Sequence, residues 1–307
     1  MTGTRPAALD SATGTYGLGS LALVATLSLM WGAGYPAMAV AMRWFEPLTL
    51  RCAVMLASGV ILLLYAAATG QRLHLPRRQW RDLAVCALFN MTILQIGMTY
   101  GVYFVGAGRS SVLIYTMLIW TALFARLLLG EPLSARRIFA LGLGAAAVFA
   151  LLAQDLSDVR DAPLGVVLNL VAAASFGFGT VWTKRTIWSL DLSAMAGWQL
   201  VVGVAPLVAI WFVVAPPVAV VAVPAFGWAA FVYMIVGANV LAYLVWFRLV
   251  RRLPAAVLGV GTLATPCVGV LSSALINGDA IRPNDAVALA LVCGALALVL
   301  FEPRPPR

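Results

Sequence analysis

Within otherwise apolar sequence, a small set of polar and aromatic side chains recurs at helical spacing. Thr92, Gln95, Thr99 and Tyr103 follow one another at steps of three, four and four, with Tyr100 alongside, so a helix would present the four on one face. Tyr233, Asn239, Tyr243 and Trp246 form a second such face. Trp120 with Thr116, Trp182 with Ser175, Trp31 with Ser28 and Tyr35, and Thr262 with Thr265 are further groups of this kind. Amides and hydroxyls can hydrogen-bond a carboxylate or an amine, and aromatic faces bury rings and attract ammonium groups. A cavity lined this way suits a flat apolar solute with a small polar head, such as an aromatic or bulky hydrophobic amino acid; a phosphorylated sugar would want Arg or Lys. The expected substrate contacts are Gln95, Tyr100, Trp120, Trp182, Asn239 and Tyr243. The competing reading is that such residues only bond neighbouring helices or sit in an interfacial belt, and Trp44, Trp80, Trp188 and Trp228 fit the belt best.

The elements that must position these side chains follow from composition. Of 307 residues, 63% are hydrophobic and 10% charged, whereas a soluble domain is nearer half apolar and a quarter charged. The mean hydropathy is +0.99. A spanning helix needs about 20 mostly apolar residues. Breaks at charge, Pro and Gly clusters give ten: 18–42, 47–69, 82–105, 110–129, 135–153, 163–184, 192–215, 225–247, 254–276 and 284–301. The runs lack the alternation of an outer-membrane barrel. The expected fold class is therefore an all-α polytopic membrane protein with ten transmembrane helices.

Placement of the basic residues orients the chain. Arg5, Arg72, Arg77, Arg78, Arg81, Arg126, Arg136, Arg137, Lys184, Arg185, Arg248, Arg251, Arg252, Arg304 and Arg307 fall on one side. Only Arg43, Arg51, Arg109, Arg160 and Arg282 fall on the other or near it. Positive residues favour the cytoplasm, so both termini are expected there, in the cell (inner) membrane, with Asp155, Asp158 and Asp161 outside. The net charge of +9 then reports topology, and the expected environment is the lipid bilayer with no nucleic-acid partner.

A repeat relates the two halves. Trp31-Gly32-Ala33-Gly34 resembles Phe176-Gly177-Phe178-Gly179 at a displacement of 145, and Tyr100-Gly101-Val102-Tyr103-Phe104 resembles Tyr243-Leu244-Val245-Trp246-Phe247 at 143. Gly130-Glu131 resembles Gly278-Asp279 at 148. The implied domains are a cytoplasmic tail 1–17, a first repeat 18–153, an extracytoplasmic connection 154–162, a second repeat 163–301 and a cytoplasmic tail 302–307. Five helices is an odd number, so the second copy enters the membrane from the opposite side: two inverted repeats, an architecture of many secondary transporters.

The residues also carry a family resemblance. Trp31-Gly32, the Arg a few residues into the second helix (Pro47 through Arg51), Leu127-Leu128-Leu129-Gly130-Glu131-Pro132-Leu133-Ser134 and Thr265-Pro266 together resemble the drug/metabolite transporter superfamily, EamA type, over residues 18–301. Trp120 stands where that family usually has a Pro matching Pro266. Within the family the chain looks like the YddG-type exporters of aromatic amino acids. The resemblance implies a membrane transporter exporting small solutes by alternating access.

No Asp, Glu, Lys or His falls near the middle of any expected span, and such groups mark proton relays and ion coupling. Facilitated diffusion or exchange is then the simplest mechanism; the alternative is proton antiport of another metabolite or a cationic drug. Arg51 and Arg126 lie close to helix ends, where long side chains snorkel to the interface. The functional alternative for Arg51 is a cap or gate on the outer vestibule. Gly34, Pro36, Gly179 and Pro266 are expected hinges, because proline and glycine weaken helices. The lone His74 lies in a basic connection, and Cys52, Cys86, Cys267 and Cys293 read as small hydrophobes without metal-ligand spacing. No enzyme, cofactor or metal site is expected, and a channel is less consistent than a carrier with a two-halved chain. The expected working unit is a monomer with a small-molecule substrate.

Overall fold

The computed structural model describes residues 18–130, 135–155, 162–214, 222–252 and 255–300. Arg5, Arg160, Asp158, Asp161, Arg304, Arg307 and the Glu131 to Ser134 part of the family motif lie outside the described residues. All described regular structure is helical. We number the spans α1 (Leu18–Ala41), α2 (Pro47–Ala68), α3 (Arg77–Val105), α4 (Ala107–Leu129), α5 (Ala135–Asp155), α6 (Ala162–Arg185) and α7 (Leu192–Val214). The eighth, α8, is Ala225–Tyr233 continued by Met234–Leu241 and Ala242–Arg252; α9 is Ala255–Asn277 and α10 Pro283–Leu300. Among the described residues seven helices are long and apolar enough to cross a membrane, and three shorter apolar helices belong to α5, α9 and α10.

Local sequence sets several ends. Pro47 begins α2, and the Glu46 carboxylate accepts from the Leu48 and Thr49 amides at 2.8 and 2.7 Å, filling two donors the helix leaves open. Gly130 closes α4 at φ 70° and Gly278 follows α9 at φ 73°, the left-handed conformation a side chain resists.

Packing follows the sequence repeat. Under a displacement of about 145 residues, α1 corresponds to α6, α3 to α8 and α4 to α9. The structure packs α1 on α9 and α6 on α4, and likewise α3 on α6 and α8 on α1, while α2 pairs with α7 and α5 with α10. The glycine pairs explain the close approach. A Cβ on Gly32 would lie 2.5 Å from Val268 in α9, and one on Gly177 2.8 Å from the Thr121 amide in α4. The second glycine of each pair faces a different helix: Gly34 lies against Ala238 in α8, Gly179 against Asn90 in α3.

Both partners belong to π-helical turns, Leu88–Ile93 in α3 and Met234–Leu241 in α8. Periodicity gave no sign of these turns. Each inserts extra backbone into a span, a feature frequent at functional sites. By contrast α1 and α6 run unbroken through Gly34, Pro36 and Gly179, and α9 through Pro266.

Candidate functional site

The main departure from expectation concerns Arg51. Its position near a helix start suggests snorkelling, but it is only 2% exposed and lies among α1, α2 and α3. Nε donates to Thr99 Oγ1 at 2.6 Å, one terminal nitrogen to Gln95 Oε1 at 2.9 Å and the other to Met38 Sδ at 2.8 Å. Thr99 Oγ1 in turn donates to the Gln95 carbonyl at 2.7 Å, which fixes both acceptors on one turn of α3. All three acceptors are neutral, and among the described residues no carboxylate pairs with the guanidinium. Burial among three helices removes the path to the interface, so the snorkelling reading of Arg51 is corrected: a guanidinium five residues into α2 is enclosed by the bundle. Arg126 does behave as an interfacial arginine: it is exposed and donates to the Gly130 carbonyl at 3.4 Å.

A row of aromatic rings approaches α3 near this polar cluster. Tyr243 of α8 meets Trp31 of α1 edge-on at 6.5 Å between ring centres, and Trp31 lies 5.5 Å from Trp246. The Tyr243 hydroxyl lies 3.9 Å from Met91 Sδ, about one turn of α3 before Gln95, and Tyr243 packs against the apolar cluster that holds Met91 and Cys52. Of the expected substrate contacts, Gln95 therefore bonds Arg51, and Tyr243 reaches α3 about one turn away.

The other expected contacts lie elsewhere. Asn239 is buried, and its Nδ2 donates to the Met234 carbonyl at 2.7 Å, so it supplies a partner for backbone freed by the π turn of α8. Tyr100 lies toward the α2 start, its hydroxyl donating to Glu46 Oε1 at 3.3 Å. Tyr103, expected on the same face as Gln95, is 57% exposed and its ring lies against Tyr100 and Phe104. Trp120 packs its backbone against Gly177 and its ring on Phe124 at 6.5 Å. Phe124, Phe178 and Trp182 continue that ladder at 5.5 and 5.7 Å.

Trp182 ends the ladder in a cavity of about 790 Å³ lined by Arg78, Arg81, Asp82, Arg185 and Trp188, among others. Its indole donates to Asp82 Oδ1 at 3.0 Å, and the Arg185 guanidinium lies 5.3 Å from its ring centre. Asp82 and Gln95 are thirteen residues apart on α3, or about 20 Å at 1.5 Å per residue. The ladder thus occupies a mouth of the bundle, and the Arg51 cluster lies deeper. At the opposite end a cavity of about 230 Å³ is flanked by an ion pair, Arg109 Nε to Asp285 Oδ1 at 3.0 Å, joining α4 to α10.

Sequence reasoning missed Met38, Asn90 and Gln199. Asn90 Nδ2 donates to Gln199 Oε1 at 3.2 Å and Thr183 Oγ1 at 3.3 Å, binding the π turn of α3 to α7 and α6. The available signal was an Asn and a Gln inside apolar runs, the same signal that marked Gln95 and Asn239. No group of three or more metal-ligating side chains occurs among the described residues.

Comparison with known proteins places this architecture. The chain matches the EamA-like transporter family twice, over residues 18–153 and 163–301. It is 26% identical to the uncharacterized transporter YvbV of Bacillus subtilis, covering 90% of each chain. It is 23% identical to the uncharacterized inner membrane transporter YedA of Escherichia coli, covering 91% of each. It is also 26% identical to a protein of Streptantibioticus cattleyicolor named "Probable terminal-alkyne amino-acid exporter", again covering 90% of each. One crystal structure superposes with a TM-score of 0.66 at 19% identity, over 92% of this chain and 96% of that one, a likeness of fold. With two five-helix units each matching the family, the chain is a multi-pass membrane transporter, not an enzyme, and belongs to the EamA-like transporter family.

Proposed function

We propose that this transporter exports aromatic or bulky hydrophobic amino acids and related amphipathic metabolites across the cell (inner) membrane by alternating access, as a facilitator or exchanger. The observation that carries the proposal is the approach of an aromatic row, Tyr243 with Trp31 and Trp246 behind it, to Met91, about one turn of α3 from Gln95 in the polar cluster of Arg51, Gln95 and Thr99. A carboxylate and a ring on one small molecule match those two halves. The named amino-acid exporter among its relatives supports the same substrate class, and the aromatic ladder ending at Trp182 supports a resemblance to YddG-type exporters.

Alternating access by two inverted repeats is supported by the paired packing of α1 on α9 and α6 on α4, and by the two π turns placed against Gly34 and Gly179. Exchanging the conformations of two such halves would exchange the open ends. The basic side, with the Arg78, Arg81 and Arg185 mouth, faces the cytoplasm on this reading. Among the described residues no carboxylate joins the central cluster, which favours transport without a built-in proton couple. The working unit is a monomer, since both halves of the site lie in one chain.

Uptake of labelled tryptophan and phenylalanine into proteoliposomes, with unlabelled threonine and methyl viologen as competitors, tests the substrate class. Saturable uptake blocked by aromatic amino acids and not by methyl viologen is expected. Inhibition by methyl viologen alone would favour a cationic-drug carrier.

A further inference from the structure

We propose that Arg51 is the receptor for the substrate's carboxylate, so that the cargo must carry an anionic head. The inference rests on the reading of the chain as a carrier of small amphipathic solutes and narrows it. A guanidinium has five N–H donors, of which three are used among the described residues, one on Nε and one on each terminal nitrogen, so each terminal nitrogen keeps a second N–H. Those two nitrogens form the fork that matches a carboxylate in a bidentate pair. Among the described residues its bonded neighbours supply dipoles and no counter-charge: Gln95 and Thr99 from α3 and Met38 from α1.

A buried charge paired only with neutral acceptors is costly, and an apolar side chain of similar volume would pack there without that cost. An ionisable residue inside a membrane bundle is, for that reason, a marker of a ligand or ion path. The carboxylate of an amino acid would complete the missing half of the pair, with its ring toward Tyr243, which approaches Met91 about one turn of α3 from Gln95. At 2% exposure Arg51 is shut off from solvent in this structure, so a ligand reaches it only when the surrounding helices part.

Equilibrium binding to the purified full-length chain in lipid nanodiscs tests this with paired probes. Phenylalanine and phenylacetate carry the carboxylate; phenylalaninamide and phenethylamine lack it. For the wild type the carboxylates should bind on the order of 100-fold more tightly than the other two, the loss expected when one partner of a buried charged pair is missing. Arg51→Gln should remove that preference, while the thermal midpoint stays level or rises because an uncompensated charge is gone. Equal binding of phenylalanine and its amide by the wild type would overturn the proposal. So would an Arg51→Gln protein that keeps the preference. If that variant does not fold, Arg51 is a brace, unless the wild type still separates acid from amide and Arg51→Lys folds with the preference weakened. If the wild type binds none of the four aromatic probes, the aromatic cargo is wrong, and leucine against leucinamide decides the role of Arg51 by the same criterion.

Discussion

Gly34 and Gly179 occupy equivalent places in the two repeats, yet the structure assigns them unequal costs on conversion to alanine. A Cβ on Gly179 would lie 2.7 Å from Asn90 Cγ and 3.1 Å from its backbone nitrogen, and it would also overlap Oδ1. To make room, Asn90 must turn away from Gln199 and Thr183, breaking hydrogen bonds of 3.2 and 3.3 Å in a buried site. Overpacking costs about 1–3 kcal/mol. Leaving buried polar atoms unpaired costs another ~1–3 kcal/mol. One movement relieves the clash and breaks the bonds, so the two costs overlap and a total of about 2–4 kcal/mol is expected. A Cβ on Gly34 would lie 3.3 Å from Ala238 Cβ, which needs a shift of only a few tenths of an ångström, and alanine regains up to ~1 kcal/mol of helix propensity. Thermal unfolding in a fixed detergent should place Gly179→Ala roughly 5–10 °C below wild type, at ~2–4 °C per kcal/mol, and Gly34→Ala within a few degrees of it. Asn90→Ala should be costly alone but should absorb most of the Gly179→Ala loss in the double variant. Equal losses for the two glycines, or additive losses in the double variant, would refute the assigned packing.

Asp285→Asn should weaken the contact of α4 with α10, because Asp285 accepts from Arg109 and from the Arg282 amide in a site where its side chain is 9% exposed. A loss of about 1–3 kcal/mol, little changed by salt, is expected in the same unfolding assay. Cys267 and Cys293 have sulfurs 3.8 Å apart on α9 and α10. Mild oxidation should therefore remove both from thiol labelling together, and Cys293→Ser should leave Cys267 labelled. Trp182→Phe keeps the ring stack on Phe178 but loses the bond to Asp82, so it should lower stability by ~0.5–1.5 kcal/mol while leaving the affinity of the Arg51 site unchanged.

Helix placement was legible because apolar runs and their breaks are written locally. The expected 18–42 and 192–215 appear as Leu18–Ala41 and Leu192–Val214, and the largest shifts are at α3, which starts five residues early, and α8, which runs on to Arg252. The π turns were not legible, since an added backbone unit leaves no trace in hydropathy; Asn90 and Asn239, which tie those turns to neighbours or to their own backbone, are the faint signal. Arg51 was misread for a related reason. Distance along the chain to a helix end does not report burial, and its acceptors come from α1 and α3, thirteen to forty-eight residues away. Trp120 and Trp182 share the type and periodicity expected of cavity residues, and only the tertiary packing separates their ladder from the Arg51 cluster.

Counterflow in proteoliposomes is the most direct test of a carrier that moves an amphipathic amino acid without a proton couple. Vesicles preloaded with unlabelled tryptophan should take up labelled tryptophan faster than empty ones, by an amount unchanged when the pH gradient is collapsed. Uptake that ignores the internal tryptophan, or that vanishes without the gradient, would contradict the account.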